Sequence, residues 1–337
     1  MSTLKVTIDR EAKTISVYND GSGIPVEMHT EHNCYIPELI FGQLLTSSNY
    51  DDDEAKVTGG RNGYGAKLAN IYSTEFIVET ADSKNGKKYR QVFSNNMADK
   101  GKPKITENKK GEDWTKITFT PDLPRFHMTE FDDDTVALFQ KRVYDMAGVT
   151  KGIKVFLNDK RIAVKNFKAY VEMYTNGIIE VADIGKSKPK AIQLAADLVG
   201  APEAGAQKST IIYEQFNERW EVAFAISDSE FQQVSFCNSI ATTKGGAHVN
   251  YITDQIVNGI IDQVKKNKKA APVKPAQIKP HLSIFINCLI ANPAFDSQTK
   301  ENMTLSVSKF GSKCVVGEEF LRKGKPNIEE TDCCCAR

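Results

Sequence analysis

The sequence predicts an α+β fold in two parts, each built from a sheet with helices packed against it. Short runs of alternating apolar and polar residues, separated by turn residues, indicate mainly antiparallel strands. Apolar residues at helical spacing near residues 133–147 and 249–264 indicate two helices that each bury one face. With 337 residues the chain is long enough for about two hydrophobic cores.

The first part begins with a hairpin, because residues 4–9 and 14–18 alternate around a turn at 10–13. Helices are predicted at residues 35–45, 66–72 and 133–147. Further strands are predicted at residues 75–80, 89–93, 115–120, 153–157 and 161–164. Residues 100–111 are polar and rich in lysine, so we predict a mobile hairpin tip there.

The second part is predicted to be a smaller α+β domain. A connecting segment is expected between about residues 174 and 206, which are rich in Gly, Pro, Lys and Asn. Strands are predicted at residues 219–227, 231–240 and 281–290. One face of a long helix is marked by apolar residues, namely Val249, Ile252, Ile256, Ile260 and Val264. The expected domains are residues 1–175 and 176–320, with a disordered tail at 321–337.

Composition points to an intracellular globular protein with no membrane segment. The 44 basic and 43 acidic side chains balance, so any contact with nucleic acid must come from a local patch. No apolar run approaches the roughly 20 residues of a membrane span, and the start resembles no signal peptide. Four cysteines occur singly, as buried thiols do, and the run Cys333–Cys335 lacks the spacing of a metal site. We therefore predict no metal site made by the protein alone.

A glycine-rich stretch at residues 58–68 is the strongest candidate for a ligand site. Gly59, Gly60, Gly63 and Gly65 let the backbone approach a ligand closely, and the next residues predict the first turn of a helix. Exposed amides at a helix start attract anions, and Lys67 adds a full positive charge. The stretch predicts a phosphate site, although a flexible surface loop has the same composition.

Three other polar segments are weaker candidates. Asn19 lies at the end of the second strand, shortly before Gly-x-Gly. Its side chain could accept a hydrogen bond from the exocyclic amine of adenine, or the segment could be a simple turn. Residues 46–50 offer short hydrogen-bonding side chains, as does an ordinary solvated loop. Between Asp262 and Asp296 there is no acidic residue, and a proline-stiffened loop rich in lysine there suits either a phosphate backbone or solvent.

The assembled motifs resemble the ATPase region of eukaryotic type IIA DNA topoisomerase. The matching runs, in the order that the family has, are NDGSGIP, IFGQLLTSSNYDDDEAKVTGGRNGYGAKLAN, FCNSIATTKGG and NPAFDSQTKENMTL. The resemblance covers about residues 4–320. It implies a two-layer α/β sandwich of the gyrase, heat-shock chaperone and histidine-kinase ATPase type, followed by an α+β transducer domain with a β-α-β crossover. Residues 1–175 would be the ATPase domain and residues 176–320 the transducer.

The resemblance also assigns roles to individual residues. Asn19 would contact adenine, while Ser47, Ser48 and Asn49 would bind the ribose and phosphates of ATP. The triphosphate would be wrapped by a lid made of Gly60, Arg61, Asn62, Gly63, Tyr64, Gly65, Ala66 and Lys67. Gln298, Thr299 and Lys300 would reach the γ-phosphate, Lys300 as the catalytic residue. DNA would be contacted by Lys265, Lys266, Lys268 and Lys269.

The family uses ATP and Mg²⁺, acts on double-stranded DNA in the nucleus and works as a homodimer whose gate closes on ATP binding. A water-activating Glu and an Mg²⁺-binding Asn precede the first strand in the family, and neither has a counterpart here. Glu11 and Glu31 do not match that motif, and the DNA-cleaving core is absent. We therefore expect this chain alone to be inactive, as a portion truncated at both ends. The alternative is a non-catalytic fragment that binds DNA or an intact topoisomerase subunit.

Overall fold

The computed structural model describes residues 1–43, 56–60, 63–175, 211–227, 230–266 and 272–323. Packing divides the chain into two compact units. The first unit comprises Met1–Asp52 and Gly60–Ala163, and the second comprises Asp53–Gly59 and Val164–Arg337. Most of the predicted connecting segment and most of the tail lie outside the described ranges, so the domain limits drawn from the sequence stay a prediction.

The first unit contains a nine-stranded sheet in the order β5-β4-β3-β7-β2-β1-β8-β9, with β6 also paired to β4. Its strands are β1 Thr3–Asp9, β2 Thr14–Asn19, β3 Ser73–Asp82, β4 Lys87–Ser94, β5 Asp99–Lys100, β6 Lys104–Glu107, β7 Trp114–Pro121, β8 Lys154–Leu157 and β9 Lys160–Arg161. All neighbours are antiparallel except β1 and β8, which run parallel. The predicted hairpin β1–β2 is confirmed, and β8 and β9, near the strands predicted at 153–157 and 161–164, pair with each other.

One face of this sheet is apolar and buried. Phe76 and Val78 of β3 pack beside Tyr89 and Phe93 of β4, and Phe41 covers them from a helix. The opposite face is polar, because strand side chains alternate between the two faces. There, Glu79 lies 3.7 Å from Arg90 and 4.0 Å from Lys116 on the neighbouring strands.

The helices of the first unit are α1 Ile36–Gly42, α2 Tyr64–Ile71 and α3 Asp133–Val149. Asp132 caps α3, since its Oδ1 accepts from the Thr135 amide at 2.7 Å. All three helices were predicted from periodicity, and α3 ends two residues beyond the predicted limit.

The prediction of a hairpin tip at residues 100–111 was wrong. Strands β5 and β6 both pair with β4, so Lys100 and residues 104–107 of this segment extend the sheet. Ile105 packs against the buried face. Charged side chains on an edge strand protect it from pairing with other chains, and this explains the polar composition.

The second unit contains a five-stranded sheet in the order β10-β11-β15-β12-β13 and a short pair, β14 with β16. The strands are β10 Ile212–Asn217, β11 Trp220–Ile226, β12 Gln232–Cys237, β13 Ile240–Ala241, β14 Gly245–Gly246, β15 Leu282–Cys288 and β16 Asn302–Met303. Strand β15 is central and all seven of its residues are buried, as its apolar sequence predicted. Strand β10, with the sequence IYEQFN, was not predicted, because the adjacent polar residues Glu214 and Gln215 interrupt the alternation.

The helices of the second unit are α4 Phe167–Thr175, α5 Ala247–Lys266, α6 Pro275–Ile278 and α7 Glu318–Arg322. Helix α5 lies in the connection between β12 and β15, which are parallel neighbours, so the expected β-α-β crossover is present. Its predicted apolar face is buried against Trp220, Val222 and Phe224 of β11. Aromatic residues of α4 pack on Phe236 and Phe285, which face the other side of the sheet.

Three single cysteines are buried in the second unit, as the sequence predicted. Cys237 and Cys288 are register partners on β12 and β15, and Cys314 belongs to the same apolar core. Burial raises the pKa of the Cys314 thiol to about 12. Cys34 is partly exposed. Among the described residues, no helix is long and apolar enough to cross a membrane.

Candidate functional site

The turn after β2 is held in place by hydrogen bonds to its neighbours. The Gly21 amide donates to Asn19 Oδ1 at 3.0 Å, which fixes the Asn19 side chain at the strand end. Gly23 has a φ of +71°, and a Cβ there would lie 2.1 Å from the Ala81 carbonyl oxygen. Only glycine fits that position, so the Gly-x-Gly spacing has a structural reason as well as any ligand role.

Asp20 anchors the same turn to the start of the chain. Its Oδ1 accepts from the amides of Ser2 at 2.6 Å and Thr3 at 2.7 Å. Burial alone would raise the pKa of Asp20, but the hydrogen bonds from Ser2 and Thr3 outweigh burial and lower it. The carboxylate is therefore charged and accepts hydrogen bonds from backbone amides.

The glycine stretch leads into the N-terminus of α2. Gly63 caps this helix in the left-handed conformation, with φ at +65°. The first four amides of a helix have no partner within the helix, and they point toward whatever lies before it. Lys67, one turn into α2, is buried, and its Nζ donates to the Gly63 carbonyl at 3.1 Å. Burial lowers the pKa of the Lys67 ammonium, which an anion in contact with it would reverse.

Gly60 and Gly65 have open space where a Cβ would be. Backbone at these two positions is therefore accessible to a ligand that comes close. Tyr64 is half-buried and Ala66 is exposed on α2. The other predicted contacts to nucleotide, Ser47, Ser48, Asn49, Arg61 and Asn62, lie outside the described residues.

Within the second unit, Lys300 lies against the start of the glycine-rich stretch. Its Nζ donates to the Gly59 carbonyl at 2.6 Å. Lys300 is partly buried, and this burial lowers the pKa of its ammonium. Its neighbours Gln298 and Thr299 are exposed. Two motifs that are 241 residues apart in sequence are thus joined by a charged hydrogen bond, at the residue next to Gly60.

The loop that carries Lys300 is fixed by the TTKGG motif. Strand β14, the Gly-Gly pair of that motif, pairs with β16 directly after Lys300. The Lys244 amide donates to the Glu301 carbonyl at 2.9 Å, and the Lys244 Nζ lies 2.7 Å from Glu301 Oε2. Sequence reasoning quoted TTKGG only as a family motif. Its paired glycines were the available signal that another backbone comes close there.

The predicted DNA contacts lie partly on a helix. Lys265 and Lys266 lie in the last turn of α5, so the prediction that they belong to a loop was wrong. The helix extends this far because its apolar face continues to Val264. Both lysines are exposed and paired with acidic residues, Lys265 with Asp262 at 3.1 Å and Lys266 with Glu318 at 2.7 Å. Lys268 and Lys269 lie outside the described ranges.

Acidic, histidine and cysteine side chains do not form a group of three that suits a metal ion anywhere in the part of the chain that the structure describes. A dedicated all-protein cage is therefore not found among those residues. Mg²⁺ seldom uses such a cage, since it is usually bound through one or two protein groups and the phosphates of a nucleotide.

Comparison with known proteins identifies the family. A family model described as DNA gyrase B matches residues 166–331. The ATPase region of Saccharomyces cerevisiae topoisomerase II has a TM-score of 0.85 and 52% identity, over 98% of this chain and 79% of that one. The 43K ATPase domain of Thermus thermophilus gyrase B has a TM-score of 0.59 at 20% identity, which shows a shared fold.

Curated relatives agree with this result. DNA topoisomerase 2 of Saccharomyces cerevisiae is 56% identical over 326 residues, which cover 96% of this chain and 22% of that protein. DNA topoisomerase 2 of Meyerozyma guilliermondii is 53% identical over 331 residues, which cover 96% of this chain and 23% of that protein. The chain thus spans about a fifth of the length of these relatives. It belongs to the DNA topoisomerase II family and corresponds to the family's ATPase region.

Proposed function

We propose that this chain is the ATP-binding and transducer portion of an ATP-dependent type II DNA topoisomerase. The observation that carries the proposal is the hydrogen bond from Lys300 to the Gly59 carbonyl. It fixes a charged ammonium on Gly59, within the glycine-rich stretch whose later residues begin α2. A lysine ammonium and a glycine-rich helix start are two features expected of a triphosphate site.

In this proposal each part of the nucleotide has its own contacts. Asn19 meets the adenine, and Ser47, Ser48 and Asn49 meet the ribose and phosphates. The stretch from Gly60 to Lys67 wraps the triphosphate, with the N-terminus of α2 and the Lys67 ammonium facing its negative charge. Burial lowers the pKa of Lys67, and a phosphate in contact with its ammonium would stabilise the charged form.

Lys300 is proposed to contact the γ-phosphate. A lysine ammonium has three N–H donors, and the Gly59 carbonyl uses one of them. The remaining donors would bind phosphate oxygens and stabilise negative charge that moves toward the leaving oxygen during transfer. Gln298 and Thr299, both exposed, would complete this contact. Since ADP lacks the γ-phosphate, Lys300 would distinguish ATP from ADP.

Mg²⁺, DNA and a second subunit belong to the same proposal. Mg²⁺ would arrive with the phosphates of ATP, where it neutralises their charge. Double-stranded DNA would be contacted by the lysines at residues 265–269, since Lys265 and Lys266 are exposed and their partners are themselves on the surface. In the intact protein, ATP binding would close a homodimeric gate in the nucleus and strand passage would follow.

The test is nucleotide binding by titration calorimetry in the presence of Mg²⁺. We expect wild-type protein to bind the β,γ-imido analogue of ATP, and Lys300→Met to bind it at least about tenfold more weakly, as for a lost charged hydrogen bond. Affinity for ADP should stay within about twofold, since no ADP oxygen meets Lys300. Lys309→Met, which changes an exposed lysine of the same unit, is the control. Equal losses for ADP and the analogue would contradict the role given to Lys300.

A further inference from the structure

The segment Lys56–Gly59, here called the strap, belongs to the second unit and overlaps the start of the glycine-rich stretch. Lys56 and Asn292 exchange two hydrogen bonds: the Lys56 amide donates to Asn292 Oδ1 at 3.1 Å, and the Asn292 amide donates to the Lys56 carbonyl at 2.9 Å. Farther along, Asn238 Nδ2 is 3.3 Å from the Thr58 carbonyl. The Lys300 bond to Gly59 completes the series.

The two asparagines that hold the strap adopt an unusual backbone conformation. Asn238 and Asn292 have φ values of +51° and +43°, in the left-handed region that asparagine tolerates better than most residues. Asn238 is buried and also bridges to the end of β15, where it donates to the Ile290 carbonyl at 2.9 Å and accepts from the Ile290 amide at 2.8 Å. These two hydrogen bonds fix the orientation of the Asn238 side chain that contacts the strap.

Gly59 packs closely against Ile240 and Asn238. A Cβ at Gly59 would lie 2.5 Å from Ile240 Cδ1, 2.9 Å from Ile240 Cγ1 and 3.1 Å from the Asn238 carbonyl oxygen, so the Ile240 side chain would have to move. The φ of Gly59 is not in the left-handed region, so space rather than backbone conformation favours glycine here. The close packing places the Gly59 carbonyl within reach of Lys300.

We propose that the strap is a positioning device for the triphosphate site, with Asn238 and Asn292 as its positioning residues. By fixing the Gly59 carbonyl, these residues orient the Lys300 ammonium and set where the glycine stretch begins. The strap thus contributes to the preference for ATP over ADP without touching nucleotide. This inference rests on the proposed function for its effect on nucleotides, but the strap contacts stand without it.

The first experiment removes one strap contact. Asn292→Gly deletes the acceptor for the Lys56 amide while suiting the left-handed backbone, whereas Asn292→Asp keeps an acceptor oxygen. By hydrogen–deuterium exchange without nucleotide, we expect the Lys56 amide to exchange at least about fivefold faster in Asn292→Gly and within about twofold of wild type in Asn292→Asp. Asn217→Gly is the matched control, because Asn217 also accepts a backbone amide, that of Arg219 at 2.9 Å, away from the strap. Unchanged exchange in Asn292→Gly would overturn the inference.

The second experiment tests the link to nucleotide. Gly59→Ala should lower the preference for the β,γ-imido analogue over ADP by at least about threefold, measured by calorimetry. Adding Ile240→Ala to Gly59→Ala removes the side-chain atoms nearest to the new Cβ. This double variant should recover at least half of the lost preference, on a logarithmic scale. Ile240→Ala alone should keep the nucleotide preference of wild type. If Gly59→Ala leaves the preference unchanged, or if Ile240→Ala brings no recovery, the positioning role is refuted.

The two proposals fail in different ways. If wild-type protein binds neither nucleotide, the proposed function fails, while exchange of the Lys56 amide still decides whether the strap is held as described. If nucleotide binds but the strap variants change neither exchange nor preference, the proposed function stands and the strap inference is wrong.

Discussion

Gly246 is the residue whose replacement should most directly test how the Lys300 loop is supported. It pairs with Met303 in the β14–β16 ladder and has a φ of +135°. A Cβ at this position would lie 2.3 Å from the Met303 carbonyl oxygen, 2.6 Å from its nitrogen and 2.9 Å from its carbonyl carbon. All three atoms are backbone, so no side-chain rotation relieves the overlap. Gly246→Ala must therefore separate the two strands.

The expected loss of stability follows from two contributions. Holding a non-glycine residue at this backbone conformation costs about 1–3 kcal/mol. Separating the strands weakens a backbone ladder in which each hydrogen bond contributes about 1 kcal/mol. We therefore expect Gly246→Ala to lower the free energy of unfolding of the second unit by about 2–4 kcal/mol. The same displacement moves Lys300, so affinity for the β,γ-imido analogue should fall while affinity for ADP is kept.

The assay is urea unfolding followed by the fluorescence of Trp220, which is buried in the second unit. Trp114 of the first unit is replaced by Phe in all variants, so that the signal reports one unit. Gly317→Ala is the control, because no atom lies within 4 Å of its added Cβ. A loss for Gly246→Ala that does not exceed the loss for Gly317→Ala would refute the assignment of Gly246 as the support of this loop.

Two further outcomes follow from single side chains. Burial lowers the pKa of His248 to about 3, against about 6.5 in the unfolded chain. Between these two pH values the unfolded state therefore binds one proton more than the folded state. The free energy of unfolding keeps its full value above about pH 6.5 and falls by up to about 1.4 kcal/mol per pH unit below it. Urea midpoints between about pH 7 and 5 should show this decline, and His248→Leu should flatten it; an equal decline in both proteins would contradict the assignment. For DNA, replacing Lys265 and Lys266 together by Ala should reduce the salt dependence of duplex binding by up to about two counterions, with Lys309→Ala as control, and an unchanged slope would exclude both lysines from the contact.

Much of the fold could be predicted from periodicity. This holds for the hairpin of β1 and β2, the helix α3 and the apolar face of α5. Each of these elements buries one face, so its apolar residues recur at the spacing of a strand or a helix. Strand β10 and the strands at residues 99–107 were missed, because they lie at sheet edges, where few of the side chains are buried. An edge strand leaves a weaker pattern than a central one such as β15.

The support of the candidate site was less predictable than its ligand-facing motifs. Glycine spacing and the run containing Lys300 could be recognised from sequence, but their contact through the Gly59 carbonyl joins residues 241 positions apart. Asn238 and Asn292 lie in two of the runs that match the family, but nothing in those runs indicated what either side chain contacts. Their left-handed backbone and their bonds to the strap are properties of the folded chain alone.

The buried thiols of the second unit offer a direct measure of how often its core opens. Cys237, Cys288 and Cys314 are inaccessible, and burial raises the pKa of the Cys288 and Cys314 thiols, so an alkylating reagent reacts with them only after the surrounding strands separate. Cys34 in the first unit is partly exposed, so its alkylation rate is the reference for a thiol that needs little opening of the structure. Mass spectrometry of the separate peptides would then follow the opening of β12 and β15 in native conditions, without any engineered cysteine.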